Sequence, residues 1–175
     1  MRMLVTLIPL FDENMTVKAY SLFTQKDKYL MNQEGQNEVT TAIEGLDVIQ
    51  TMGVDTFAGS KEIFVTLNLL SIFTKFEDEC GIPPEQLVFL IDNTLPPEDI
   101  YINRLREIKR KGYKLAIRKL EIRQYQQYQE ILKLMDYMFF DYKKMDISRG
   151  RLFFTKQFPH IKLCAGNLDT RESFE

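Results

Sequence analysis

An α/β fold with a parallel sheet covered by helices is predicted by three observations. Short, almost wholly apolar runs such as Leu87-Val88-Phe89-Leu90-Ile91 alternate with longer stretches of helical spacing, the pattern of strands buried on both faces. Proline with acids opens helical stretches, and basic residues with glycine close them. Two extended runs joined by Asp12-Glu13-Asn14 precede the first unit, so an N-terminal β-hairpin leads into the sheet.

Taken in order, the hairpin strands are expected at 3–10 and 16–23. A polar stretch, Asn32 to Asn37, leads to a helix with apolar spacing at Val39, Ile43 and Leu46. Ile63 to Leu67 reads as a strand, with Leu69, Leu70, Phe73 and Phe76 along the following helix. Gly81-Ile82-Pro83-Pro84 stops that helix, and 87–91 is the next strand. Pro96-Pro97-Glu98-Asp99 is a strong helix start, because proline suits the first turn and acids suit its positive dipole end. Lys109-Arg110-Lys111-Gly112 ends that helix by the mirror logic. Strand 113–117, helix 122–134, strand 137–141, helix 144–157 and strand 161–164 follow, with a further helix starting near Thr170-Arg171-Glu172. About six strand positions after the hairpin would leave an eight-stranded barrel unfinished, so a partial or shortened βα-barrel is expected. An exposed sheet edge invites pairing, and a partner is expected to cover it.

The chain of 175 residues is 45% hydrophobic and 27% charged, with a formal net charge of −2, which predicts one globular domain over 1–175. That balance gives no argument for nucleic acid or an acidic membrane surface. The apolar start, Met3 to Leu10, is too short for a span, and Asp12-Glu13 stand where small cleavage-site residues belong. A cytoplasmic protein is expected. Cys80 and Cys164 lack metal-ligand spacing and read as two buried free thiols. His160 is the sole histidine, placed in a surface loop after Pro159. The run Arg104, Arg106, Lys109, Arg110, Lys111 leaves Tyr101, Leu105 and Ile108 on the apolar stripe, so its charges form a solvated face. Tyr125-Gln126-Gln127-Tyr128-Gln129 has tyrosines where an exposed helix carries charges, which suits a protein contact or half-buried packing equally.

The most informative stretch is Lys111 to Leu120. Strand 113–117 finishes on two adjacent cations, Arg118 and Lys119, where a βα-barrel does its chemistry. Hard divalent cations want oxygen ligands there, and two positive side chains would repel them.

Four phrases in order resemble the EAL domain, the bacterial cyclic di-GMP phosphodiesterase family. The nearest likeness is to its divergent form in front of HDOD domains. Ile8-Pro9-Leu10-Phe11-Asp12-Glu13-Asn14 with Val17-Lys18-Ala19-Tyr20 resembles the family's opening. Leu87 to Thr94 resembles its second acidic strand, and Leu105 to Ile117 resembles the helix and strand that lead to its paired aspartates. Ile161 to Ala165 with Leu168 to Phe174 resembles a late segment of the same domain. The resemblance implies a TIM-barrel-like fold and, in active members, a cage of acidic and amide side chains around divalent metals with a catalytic lysine. Carried over, the signature glutamate falls on Ser21, the arginine after it on Gln25, and the ligand asparagine on Thr66. The glutamates of the acidic strand fall on Leu90 and Asn93, although a one-residue slip brings in Asp92. The paired aspartates fall on Arg118 and Lys119, and the lysine on Phe139, with Asp141 retained two positions on. A later metal-binding glutamate falls on Gly166, and the last is shortened to Asp169.

Two-metal hydrolysis needs several carboxylates to balance the ions and acidify the bound water. A catalytically inactive signalling or scaffolding module is therefore expected, without metal or other cofactor, working through a protein partner or self-association. The alternative is a receptor that binds cyclic di-GMP or another nucleotide without hydrolysing it, and an active phosphodiesterase is the third reading. The vestigial pocket would comprise Arg118, Lys119, Asp141, Asp169, Asn93, Ser21 and Thr66. Within it, Arg118 or Lys119 is expected to pair with Asp141, Asp92 or Asp169, unless the two cations await an anion. Asp169 with Thr170 also suits a helix cap. Nothing in the sequence shows whether the native protein continues past Glu175, for example into an HDOD domain.

Overall fold

A computed structural model describes residues 3–26, 43–76, 81–141 and 147–166. Seven strands are hydrogen-bonded in chain order: β1 (Met3–Phe11), β2 (Val17–Lys26), β3 (Glu62–Thr66), β4 (Leu87–Asp92), β5 (Lys114–Arg118), β6 (Tyr137–Asp141) and β7 (Lys162–Gly166). The first pair is antiparallel, with Ile8 opposite Ser21 and Leu10 opposite Ala19. The pairs β2–β3, β5–β6 and β6–β7 are parallel. The α/β class, the hairpin and the shortened barrel-type strand series hold. Five strands rather than six follow the hairpin among the described residues.

The chain divides into two compact units, Met1–Phe89 with Lys111–Tyr113, and Leu90–Arg110 with Lys114–Glu175. In the first, Ile63, Phe64, Val65, Ile72 and Leu87 are buried. Phe76 and Phe89 pack with ring centroids 4.4 Å apart, and Tyr113 closes the cluster 5.5 and 5.4 Å from them. The hairpin turn is built by Asp12, whose Oδ1 accepts the amides of Asn14 and Thr16 at 2.9 Å. Its Oδ2 meets Lys18 at 3.1 Å.

Two expected helices differ here. Among the described residues the first begins after Gly45, as α1 (Leu46–Met52), and Gly53, at φ 83 and ψ 139, separates it from α2 (Val54–Ala58). Val39 lies outside the described residues. The helix over Leu69 to Phe76 is replaced by a 3₁₀ turn, Ser71–Phe73. Asn68 and Ser71 cap that turn reciprocally: Asn68 Oδ1 accepts the amides of Leu70 and Ser71 at 2.8 Å, and Ser71 Oγ accepts the amide of Asn68 at 2.8 Å. Such a cap starts a turn, and Thr74, extended at φ −66 and ψ 132, ends this one after a single round.

In the second unit, α3 (Asp99–Arg110) buries Ile102, Leu105 and Ile108. Arg104 is also buried and bonds Glu107 at 3.1 Å, so the solvated basic face expected of this helix lacks one member. Lys109 reaches Asp136, whose carboxylate also accepts the Leu115 amide at 2.8 Å. The Asp136 amide donates to the Leu115 carbonyl and the Lys162 amide to the Asp136 carbonyl, each at 2.8 Å. One aspartate thereby ties α3 to the starting ends of β5, β6 and β7. Helix 122–134 is broken into a 3₁₀ turn, Ile122–Gln124, and the short α4 (Gln129–Leu132). Its buried positions are Tyr125, Tyr128, Ile131 and Leu132. The tyrosines pack inward while Gln126, Gln127 and Gln129 are exposed, so packing is the role of Tyr125 and Tyr128. α5 (Ile147–Gln157) carries Phe154, which stacks edge-on against Tyr125 and Phe140 at 5.1 and 5.6 Å.

Cys164 is partly buried and forms no disulfide with a described residue, and Cys80 lies outside the described residues. His160 is exposed, as expected. Among the described residues no helix is long and apolar enough to cross a membrane.

Candidate functional site

The second unit brings the ends of β4 and β5 together. β4 ends on Asp92, and Asp92 Oδ1 accepts both the amide and the hydroxyl of Thr94, at 3.0 and 2.6 Å. That bond pair turns the chain sharply out of the strand. The following loop is held by a residue that sequence reasoning did not assign to the site. The buried hydroxyl of Tyr128 lies 3.0 Å from the carbonyl oxygens of both Asn93 and Leu95, with one proton to share between them. Burial, and then the nearby Asp92 charge, raise the Tyr128 pKa, so it stays a donor. Its sequence signal was the three-residue spacing from Tyr125, which the helical reading concealed.

β5 delivers the two cations. Lys119 has φ 58, a left-handed conformation that few side chains other than glycine adopt. Its Nζ lies 3.6 Å from Asp92 Oδ2, with the lysine side chain 64% exposed and the aspartate 17%. Arg118 is half-buried at the strand end. Its Nε is fully buried without a hydrogen-bond partner, and no ion pair joins it to a described residue.

The internal pairing expected for this site is therefore divided. Lys119, not Arg118, makes the ion pair with Asp92, and Arg118 keeps one buried donor, Nε, without a hydrogen-bond partner among the described residues. Burial is the largest influence on Asp92 and pushes its carboxyl up. The Thr94 hydroxyl and amide, then Lys119, then Arg118, outweigh burial and hold it below the ordinary carboxylate range.

The other sequence candidates are spread out. Asn93 is beside the pair and contributes its carbonyl. Asp141 ends β6, opposite Gly166 of β7. Ser21 sits on β2 opposite Ile8 and beside Phe64, and Thr66 ends β3; both belong to the first unit. Asp169 lies outside the described residues. Leu90, onto which the sequence resemblance carried a metal ligand, is buried in the core.

Chemically, the strand-end cluster is one carboxylate and two cations. Among the described residues no group of three or more acids, histidines or cysteines could hold a metal. The donor set at this cluster does not fit a divalent ion, since Arg118 and Lys119 donate hydrogen bonds and cannot ligate. Guanidinium and ammonium together suit an oxyanion.

An α/β chain with a strand-end cluster of this kind belongs to a broad structural class. No protein-family model and no curated protein matches the sequence. Solved structures narrow the fold. The EAL enzyme Bd1971, with cAMP and cyclic-di-GMP bound, superimposes with a TM-score of 0.69 at 10% identity over 98% of this chain and 57% of its own. Klebsiella pneumoniae BlrP1, in a manganese and cyclic-di-GMP complex, has a TM-score of 0.69 at 14% identity over 99% of this chain and 55% of its own. A standalone EAL protein from Vibrio cholerae O395, bound to c-di-GMP, has a TM-score of 0.64 at 11% identity over 99% of this chain and 84% of its own. The fold is EAL-like, and the chain spans little more than half the length of the first two of these proteins.

Proposed function

We propose that this chain is a catalytically inactive EAL-like module of cyclic di-GMP signalling, of the divergent kind seen in front of HDOD domains. The observation that carries this reading is the charge at the ends of β4 and β5. Positions that the resemblance assigns to paired aspartates hold Arg118 and Lys119, and the nearby Asp92 is engaged by Lys119 and Thr94. A bound water there would gain no acidity, and two metal ions would meet like charge.

Such a module could signal through protein contacts alone or by receiving a nucleotide without cleaving it. The unpartnered buried donor of Arg118 favours the second route. A buried donor is stabilised by an acceptor, and a phosphodiester supplies two acceptor oxygens in the guanidinium geometry. Calorimetric titration with cyclic di-GMP, with Mg²⁺ and then with chelator, tests this. Binding equal in both conditions, with the nucleotide recovered intact, is the expected result. Heat only with Mg²⁺, accompanied by a linear product, would show an active enzyme. No heat in either condition would leave the protein-contact route.

A further inference from the structure

We infer that the Lys119–Asp92 ion pair is a latch that an incoming phosphodiester opens, with the anion seating on Arg118 and drawing Lys119 away from Asp92. The inference rests on the receptor reading and adds to it a competitor built into the site.

Asp92 divides its two oxygens. Oδ1 is committed to Thr94 through two hydrogen bonds, and Oδ2 faces Lys119. The first role shapes the loop; the second only neutralises a cation. The Lys119 contact is long, at 3.6 Å, and the lysine is mostly exposed, so the pair is weak and readily exchanged. The count of charges agrees. Arg118 and Lys119 against Asp92 leave one net positive charge, which one phosphodiester group, itself a monoanion, would balance. Arg118 feels Asp92 only through its charge and leaves its buried Nε without a hydrogen-bond partner among the described residues, so it is the cation left to receive that group. Lys119, adjacent in sequence and held in a left-handed turn by no glycine, must choose between the carboxylate and the ligand. Asp92 therefore acts against binding, the opposite of what a carboxylate in a metal cage would do.

Asp92→Asn separates these roles, because the amide oxygen can still accept both Thr94 bonds while the charge facing Lys119 is removed. With cyclic di-GMP as the probe and chelator present, Asp92→Asn should bind about two- to fivefold tighter than wild type, the fold equivalent of an exposed ion pair. Lys119→Met, which keeps the stem and loses the charge, should bind several-fold weaker. Arg118→Ala should lose most binding. A thermal melt at neutral pH checks that each variant folds. If wild type binds and Asp92→Asn binds equally or more weakly, the latch is overturned while the receptor reading stands. If Lys119→Met binds as wild type, Lys119 is no ligand contact and the latch is equally overturned. If wild type does not bind, the receptor reading fails and the latch fails with it.

Discussion

Arg118 is the residue at which the structural and functional accounts part. A cation held in a buried pair leaves its partner uncompensated when removed, at a cost on the order of 3–5 kcal/mol. Arg118 has no such partner among the described residues, and it stands next to the like charge of Lys119. Arg118→Ala removes a half-buried stem but no ion pair, so it is expected to cost no more than about 1 kcal/mol. A drop of several degrees in a calorimetric scan would mean that the guanidinium is structural after all. Asp92 makes a complementary forecast. Its folded pKa lies below its unfolded value of about 3.9, because the Thr94 bonds and the two cations outweigh burial. A depressed carboxyl contributes stability that is fully present above the unfolded value and is lost as pH falls through the folded one. Wild type should therefore lose stability relative to Asp92→Asn below about pH 4, as read from denaturant midpoints across acid pH. Parallel midpoints for the two proteins would contradict the assignment. Tyr125 is a residue of another kind: burial pushes its phenol up to about 12, and its hydroxyl has no partner.

Among the elements, the strands were legible in the sequence and several helices were not. β3, β4 and β5 are short apolar runs buried at consecutive positions, and burial on both faces leaves such runs little alternative. β6 and β7 were legible from their shortness and flanking breaks, although β6 is buried only at alternate positions and β7 at none. α3 was equally clear, because its proline, acids, terminal bases and Gly112, at φ 93, agree at both ends. The stretch after β3 starts as a turn capped by Asn68 and Ser71, but the extended backbone of Thr74 closes it after a single round. The stretch 122–134 keeps a helical burial pattern at Tyr128, Ile131 and Leu132, yet its backbone forms only a 3₁₀ turn and one short α-helix. α5 is fastened at Gly150, where an added Cβ would stand 2.8 Å from Cε1 of the Phe140 ring on β6. An exposed helical glycine gains up to about 1 kcal/mol on conversion to alanine. At this position, overpacking should reverse the sign, and Gly150→Ala should lose about 1–3 kcal/mol. Urea unfolding measures it directly, and a midpoint at or above wild type would show that the ring yields.

For the whole molecule, sequence and structure agree on an EAL-like α/β fold with an N-terminal hairpin. The candidate site was only partly legible. Arg118 and Lys119 announced themselves as cations at a strand end, and Asp92 entered through a shift of one position. Tyr128 escaped because its role depends on a chain reversal that brings residues 33 and 35 positions apart into one hydrogen bond. The division of Asp92 between Thr94 and Lys119 is likewise a matter of which oxygen faces which neighbour, and no spacing rule encodes it. Asp136 shows the same at the opposite ends of the strands, where one side chain serves Lys109 and Leu115 together.

The central claim is that this strand-end site has exchanged metal chemistry for positive charge. Its most direct test is incubation of the protein with cyclic di-GMP and Mn²⁺ or Mg²⁺, with the nucleotide then resolved by chromatography. The account predicts that cyclic di-GMP is recovered intact at every time and metal concentration. Accumulation of linear dinucleotide in proportion to protein, abolished by chelator, would contradict it.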